Sequence, residues 1–194
     1  MFLIANLIVT TFFLVWDEIF TQLGVWGFNP DYVTGLYIGT LPIEEILFFI
    51  CIPYACVFTY HCFKVLIPKF KIDDKLSYYL TIGLTSFLII IAAFNLQRDY
   101  TFYTALFTTL FLIVSRIYGF NLSTIYTAYI AVIPFFLISN GYLTGSFTPE
   151  PIVWYNNAEN LSIRTFTIPI EDYVYGFLMV AGNIIIVYWG ELRK

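Results

Sequence analysis

Apolar stretches close to the ~20 residues that a helix needs to cross a bilayer govern what this chain can fold into. Six are expected: Met1 to Phe20, Pro42 to Leu66, Leu76 to Phe94, Tyr100 to Tyr118, Ser123 to Leu143 and Pro169 to Trp189. Only 11% of the 194 residues are charged, against roughly 25% in a soluble domain. Backbone in hydrocarbon must satisfy its own polar groups, so a span is a helix or a strand of a closed barrel. Barrel strands alternate apolar and polar residues, and a run such as Leu84 to Phe94 does not. The expected fold is all-α, a polytopic membrane protein with one membrane domain over residues 1–194. A net charge of −4, with most charges in loops, gives no support for nucleic-acid binding.

The connections at Asn95 to Asp99 and Gly119 to Leu122 are short, which predicts antiparallel neighbours. Those at Thr21 to Leu41 and Thr144 to Ile168 are long and rich in aromatics, Gly and Asn. Pro53 and Pro134 each lack a backbone donor inside a span and are expected to kink it. Alternation places Lys64, Lys69, Lys71, Lys75, Arg116, Arg193 and Lys194 on one side, and only Arg98 and Arg164 on the other. An excess of Lys and Arg marks the cytoplasmic side. The expected protein is a multi-pass protein of the cell membrane with both termini cytoplasmic and both long loops outside.

Two segments nearly repeat each other. Thr40-Leu41-Pro42-Ile43-Glu44-Glu45 opens the second span and Thr167-Ile168-Pro169-Ile170-Glu171-Asp172 opens the sixth. The inferred units are residues 1–67 and 100–192, parallel, with a connector helix over 76–99. Unit two has two spans before its motif helix and unit one has a single span. The count therefore predicts a further helix, encoded upstream of Met1 or supplied by a partner.

Pro42 and Pro169 suit the first helical turn, where a missing N–H costs nothing. The four acids behind them also suit the positive end of the helix dipole. Capping alone does not explain why the acids come doubled, recur, and are joined on the same face by Asp17-Glu18. Acids at membrane depth point to function by default. Phe48 and Tyr175 stand four residues after Glu44 and Glu171, on the same helical face. Trp16 abuts Asp17, and Trp26 stands in the first outer loop. A protonated carboxyl in an apolar pocket donates a proton, aromatic faces stabilise the resulting cation, and a second carboxylate takes a proton back. The candidate catalytic residues are Glu44, Glu45, Glu171 and Asp172. Trp16, Asp17, Trp26, Phe48 and Tyr175 are the substrate-binding or cation-stabilising candidates. A proton-coupled transporter is the rival, but it calls for acids near the bilayer midplane; a non-catalytic assembly subunit is a third reading.

Other chemistry is poorly supported. Cys51, Cys56 and Cys62 match no zinc spacing, and a single histidine, His61, argues against most histidine metal sites. There is no G-x-G-x-x-G for a dinucleotide. Asp73-Asp74 reads as a solvated loop, and Arg164 is placed to pair with a motif acid.

Trp16-Asp17, Gly24 to Asn29, Leu41 to Glu45 and Ile52 to Val57 resemble the first half of the small membrane-integral lycopene cyclases. Glu159-Asn160-Leu161, Arg164 and Thr167 to Asp172 resemble the second half. The halves occur in that family as two subunits or fused, as here, and fused members usually carry one more N-terminal helix. The resemblance implies a lycopene β-cyclase that works without a Rossmann flavin domain, with its motif acids at Glu44, Glu45, Glu171 and Asp172. The implied partners are lycopene or a related linear carotenoid, the bilayer, and possible further copies of the chain. No metal and no consumed cofactor are expected.

Overall fold

The computed structural model describes residues 2–192. Met1, Arg193 and Lys194, which the first span and the charge count drew on, lie outside the described residues. Helix α1 (Phe2–Gln22) leads into a long loop holding strand β1 (Trp26–Phe28), a 3-10 turn (Pro30–Tyr32), and strands β2 (Tyr37–Ile38) and β3 (Leu41–Pro42). Helices α2 (Ile43–Leu66), α3 (Asp74–Phe94), α4 (Asp99–Ile117) and α5 (Ser123–Leu143) follow. A second long loop holds β4 (Val153–Tyr155), β5 (Arg164–Thr165) and β6 (Ile168–Pro169), then come α6 (Glu171–Val187) and α7 (Trp189–Leu192).

Helices α1 to α5 are each long and apolar enough to cross a membrane. Helix α6 has 17 residues. Its expected first residue, Pro169, is drawn into β6 with Ile168, Ile170 takes the N-cap position, and the helix ends at Val187. Elsewhere the helix ends lie within about two residues of the sequence expectation. Asp73 explains the start of α3: its carboxylate accepts from the Lys75 and Leu76 amides at 2.9 and 3.1 Å, an N-cap. Asp74 accepts from Lys71, Asn121 and Ser123 at 2.8, 3.0 and 2.9 Å. The Asp73-Asp74 pair is therefore not simply solvated loop; it starts α3 and ties it to the α4–α5 connection.

Helix α6 is the central post. It touches α1, α2, α4 and α5, and it buries residues around its whole circumference, including Phe177, Leu178, Met179, Val180, Ala181 and Ile184. A helix apolar all round belongs in the middle of a bundle. One core cluster joins α2, α4, α5 and α6 around Leu112, Ile125, Tyr126 and Phe177. A second joins α1, α2 and α4 to the first long loop through Phe13, Trp16, Phe20, Trp26, Phe49 and Tyr100. Helix α3 packs chiefly on α4 and buries only Ser77, Thr81 and Leu88.

The two long loops share a design. Before α2, an antiparallel hairpin pairs Tyr37 with Pro42 and Ile38 with Leu41. Before α6, another pairs Arg164 with Pro169 and Thr165 with Ile168. The same interval separates each residue from its counterpart, and it also relates β1 to β4. Those two strands pair with each other, Trp26 with Tyr155 and Phe28 with Val153. The bonds that flank this ribbon are images of one another: Asn29 donates to the Ile152 carbonyl and Asn156 to the Val25 carbonyl, each at 2.8 Å. The left-handed positions match too. Gly35 (φ +82°) and Gly39 (φ +67°) correspond to Ser162 (φ 58°) and Phe166 (φ 56°). A Cβ on Gly39 would meet the Glu18 carboxylate at 2.6 Å, whereas the counterpart of Glu18 is Gly145, which leaves Phe166 room for a side chain.

Candidate functional site

A cavity of about 560 Å³ lies among α2, α5 and α6, beneath the β1–β4 ribbon. Asp17, Glu45 and Asp172 line its head, and Cys56, Thr59 and Tyr129 its far end. From Glu45 to Thr59 the wall follows ~21 Å of helix at 1.5 Å per residue. The remaining lining is mostly apolar and aromatic, including Phe48, Phe49, Phe136, Tyr175 and Met179. Between α2 and α5 the lining residues Ala55, Phe135, Ile138 and Ser139 are exposed, so the cavity opens sideways on the flank of the bundle.

Each motif sends its two acids to different places. Successive residues on a helix point about 100° apart, and the hairpin fixes which one turns inward. Glu45 and Asp172 line the cavity; Glu44 and Glu171 do not. Glu44 accepts the Thr34 amide at 2.8 Å. Glu171 accepts the Leu161 amide at 2.8 Å, in the same relation, and also the Thr101 hydroxyl at 2.6 Å. These two carboxylates hold each long loop against its motif helix. Glu18, beside Asp17, accepts the Thr40 amide and hydroxyl at 3.0 and 2.9 Å and fastens the first hairpin to α1.

The three cavity acids differ in their partners. Asp17 accepts the Trp26 indole N–H through one oxygen, and the other is buried with no partner. Asp172 accepts the Tyr100 hydroxyl at 2.5 Å, the Tyr155 hydroxyl at 3.0 Å and the Asn140 amide at 3.2 Å. Glu45 shares the head of the cavity with Asp17 and Asp172, and no hydrogen bond to its side chain is seen among the described residues. One ribbon serves two acids, because the paired residues Trp26 and Tyr155 each donate to one. Burial, and then the Asp172 charge, push the Tyr155 phenol well up, so it stays a donor.

The aromatic candidates fall into two layers. Trp26, Phe48 and Tyr175 line the cavity. Trp16 does not; its ring lies 5.0 Å from that of Tyr175 and 4.9 Å from that of Phe107, backing the wall. Trp26 packs edge-on to Tyr100 at 5.0 Å, and Tyr175 edge-on to Phe13 at 4.8 Å. On the face of the ribbon away from the cavity, the Trp154 ring fills the space where a side chain on Gly27 would stand. Arg164 does not pair with a motif acid. It donates to the Thr167 carbonyl at 2.6 Å and to the Asn157 side chain at 2.7 Å, because the β5–β6 turn folds it back on its own hairpin.

Sequence reading missed Tyr100, Asn140 and Tyr155, the donors to Asp172. Asn140 carried a signal, being a lone amide near the end of an apolar span. The tyrosines carried none among 16 in the chain.

The family model described as lycopene cyclase matches residues 1–63 and 97–189. No curated protein and no solved structure gives a significant match. A match over most of the sequence, taking in the loops and helices that build the cavity, places the chain in the lycopene cyclase family.

Proposed function

We propose that the chain is a membrane-embedded lycopene β-cyclase, an intramolecular lyase that makes β-ionone rings without net redox. The observation that carries this reading is the meeting of Asp17, Glu45 and Asp172 at the head of an apolar cavity that opens on the flank of the bundle. Pockets of ~300–1,000 Å³ suit ligands of drug size, so this one takes one end of a C40 carotenoid and leaves the rest of the polyene in the bilayer. A carboxyl group adds H⁺ to C2 of the terminal double bond. The C5=C6 bond attacks the cation at C1 and closes the ring, leaving charge at C5. A carboxylate then removes the proton from C6. Trp26, Phe48 and Tyr175 present rings around the path of the charge, and Trp16 supports Tyr175 from behind. The ribbon keeps outside water from capturing the cation. Glu44 and Glu171 position the motif helices. Atoms and electrons balance within the substrate, so the step consumes no cofactor.

The architecture proposed with this activity is six spans in two parallel units, 1–67 and 100–192, joined by a connector at 76–99. The paired hairpins support it, and so does the family match, which skips residues 64–96 and with them α3. Both termini are assigned to the cytoplasm on the distribution of Lys and Arg. Expression in a lycopene-making host, followed by pigment chromatography, tests the activity. The wild-type chain yields cyclised carotenoid and the Glu45→Gln variant, at equal membrane abundance, leaves lycopene. Equal ring formation in the two would refute the reading.

A further inference from the structure

Glu45 and Asp172 occupy the same position in the two motifs, but their surroundings have diverged. At Asp172 the donors are Asn140 and Tyr155, with Tyr100 from α4. At the repeat interval, Phe13 stands for Asn140 and Phe28 for Tyr155. Neither phenylalanine has a polar hydrogen, and Tyr100 has no counterpart among the described residues of the first unit. A carboxylate only accepts hydrogen bonds, whereas a carboxylic acid has an O–H to place. Three donors converging on Asp172 therefore match a carboxylate. Glu45 stands in the same cavity with no donor among the described residues, and a charge there would go uncompensated.

From this divergence, and resting on the cyclase reading, we infer that Glu45 is the acid that protonates C2 and Asp172 the base that takes the proton from C6. Asn140, Tyr155 and Tyr100 are positioning residues for that base. The Glu45 O–H breaks as the C1=C2 pair forms the new C2–H bond. The C5=C6 pair forms the C1–C6 bond. The C6–H pair then restores C5=C6 as the proton passes to Asp172. The cycle ends with the proton on Asp172 and the charge on Glu45, and proton exchange with water resets them.

Ring type separates the two roles, because a lost base acts after the ring has closed. In the lycopene-making host, Glu45→Gln is expected to lower all ring products by about a hundredfold or more. Asp172→Asn still closes rings, in lower yield. Its C5 cation sheds a proton from C4 or from the C5 methyl, which places the double bond in the ε or γ position. Asn140→Leu and Tyr155→Phe shift the product ratio the same way to a smaller extent, and they serve if Asp172→Asn does not accumulate. A merely structural role for these residues would lower yield and leave the ratio unchanged. An unchanged ratio in all three variants overturns the assignment. So does Asp172→Asn producing only lycopene, or Glu45→Gln producing misplaced double bonds. A wild-type chain that forms no rings refutes the cyclase reading itself, a distinct result.

Discussion

Gly39 provides the sharpest test of how the first hairpin is held. Gly35 and Gly39 both sit at positive φ, +82° and +67°. A left-handed backbone costs an L-residue about 1–2 kcal/mol. A Cβ at Gly35 meets nothing within 4 Å, so Gly35→Ala pays that cost alone. A Cβ at Gly39 would stand 2.6 Å from Glu18 Oε1 and displace the carboxylate that accepts the Thr40 amide and hydroxyl. Losing such a bond at a half-exposed site adds about 1 kcal/mol, so Gly39→Ala costs about 2–3 kcal/mol. With ~2–4 °C per kcal/mol for a chain of this size, the apparent Tm falls by roughly 5–10 °C. The assay is thermal unfolding of detergent-solubilised protein, followed by the loss of the monodisperse peak in size exclusion. A double-mutant cycle with Glu18→Ala isolates the collision. In that background Gly39→Ala returns to the cost of Gly35→Ala. If Gly39→Ala is no worse than Gly35→Ala, or the cycle shows no coupling, Glu18 does not pin the hairpin.

Trp26→Phe keeps an aromatic ring in the cavity wall and removes the only hydrogen-bond donor to Asp17 seen among the described residues. A hydrogen bond to a charged group is worth about 1.5–3 kcal/mol, so cyclisation is expected to drop about tenfold at equal protein level; an unchanged pigment profile would show that the bond is idle. Gly176 lines the cavity, and a Cβ there lies 3.1 Å from the Tyr129 hydroxyl, itself held by the Tyr173 carbonyl at 2.6 Å. Gly176→Val therefore narrows the cavity and leaves lycopene unconverted while the protein still accumulates, and normal conversion would remove the substrate from this space. Reporter fusions after Lys75 and near Tyr155 are expected to read cytoplasmic and external, and a cytoplasmic signal at Tyr155 would overturn the orientation.

Hydrophobic run length located the helices to within a residue or two, because lipid-spanning length is a property of composition. It overestimated the start of α6, because Ile168 and Pro169 pair in a two-residue strand that has no periodicity to read. The doubled acids stood out as a motif, but a motif does not say which member turns inward; that depends on a hairpin whose anchor, Glu18, lies on another helix. The donors to Asp172 come from α4, α5 and β4, at sequence distances of 72, 32 and 17 residues. Contacts of that kind belong to tertiary packing and leave no local pattern. The repeat held more than its motif displayed. Extended at constant interval beyond the motifs, it sets Glu18 against Gly145 and Phe28 against Tyr155, positions where the matched stretches differ in chemistry.

The sideways opening between α2 and α5 has a kinetic consequence. A substrate that enters there arrives by two-dimensional diffusion among lipids and never equilibrates with buffer. On the proposed cyclase reading, the concentration that the enzyme responds to is the mole fraction of carotenoid in its own membrane. Diluting a fixed amount of enzyme and lycopene with plain lipid lowers the rate, whereas diluting the same vesicles with buffer does not. Saturation then reports how crowded the membrane is with pigment, so the lipid content of the cell, rather than its volume, sets how hard the enzyme works.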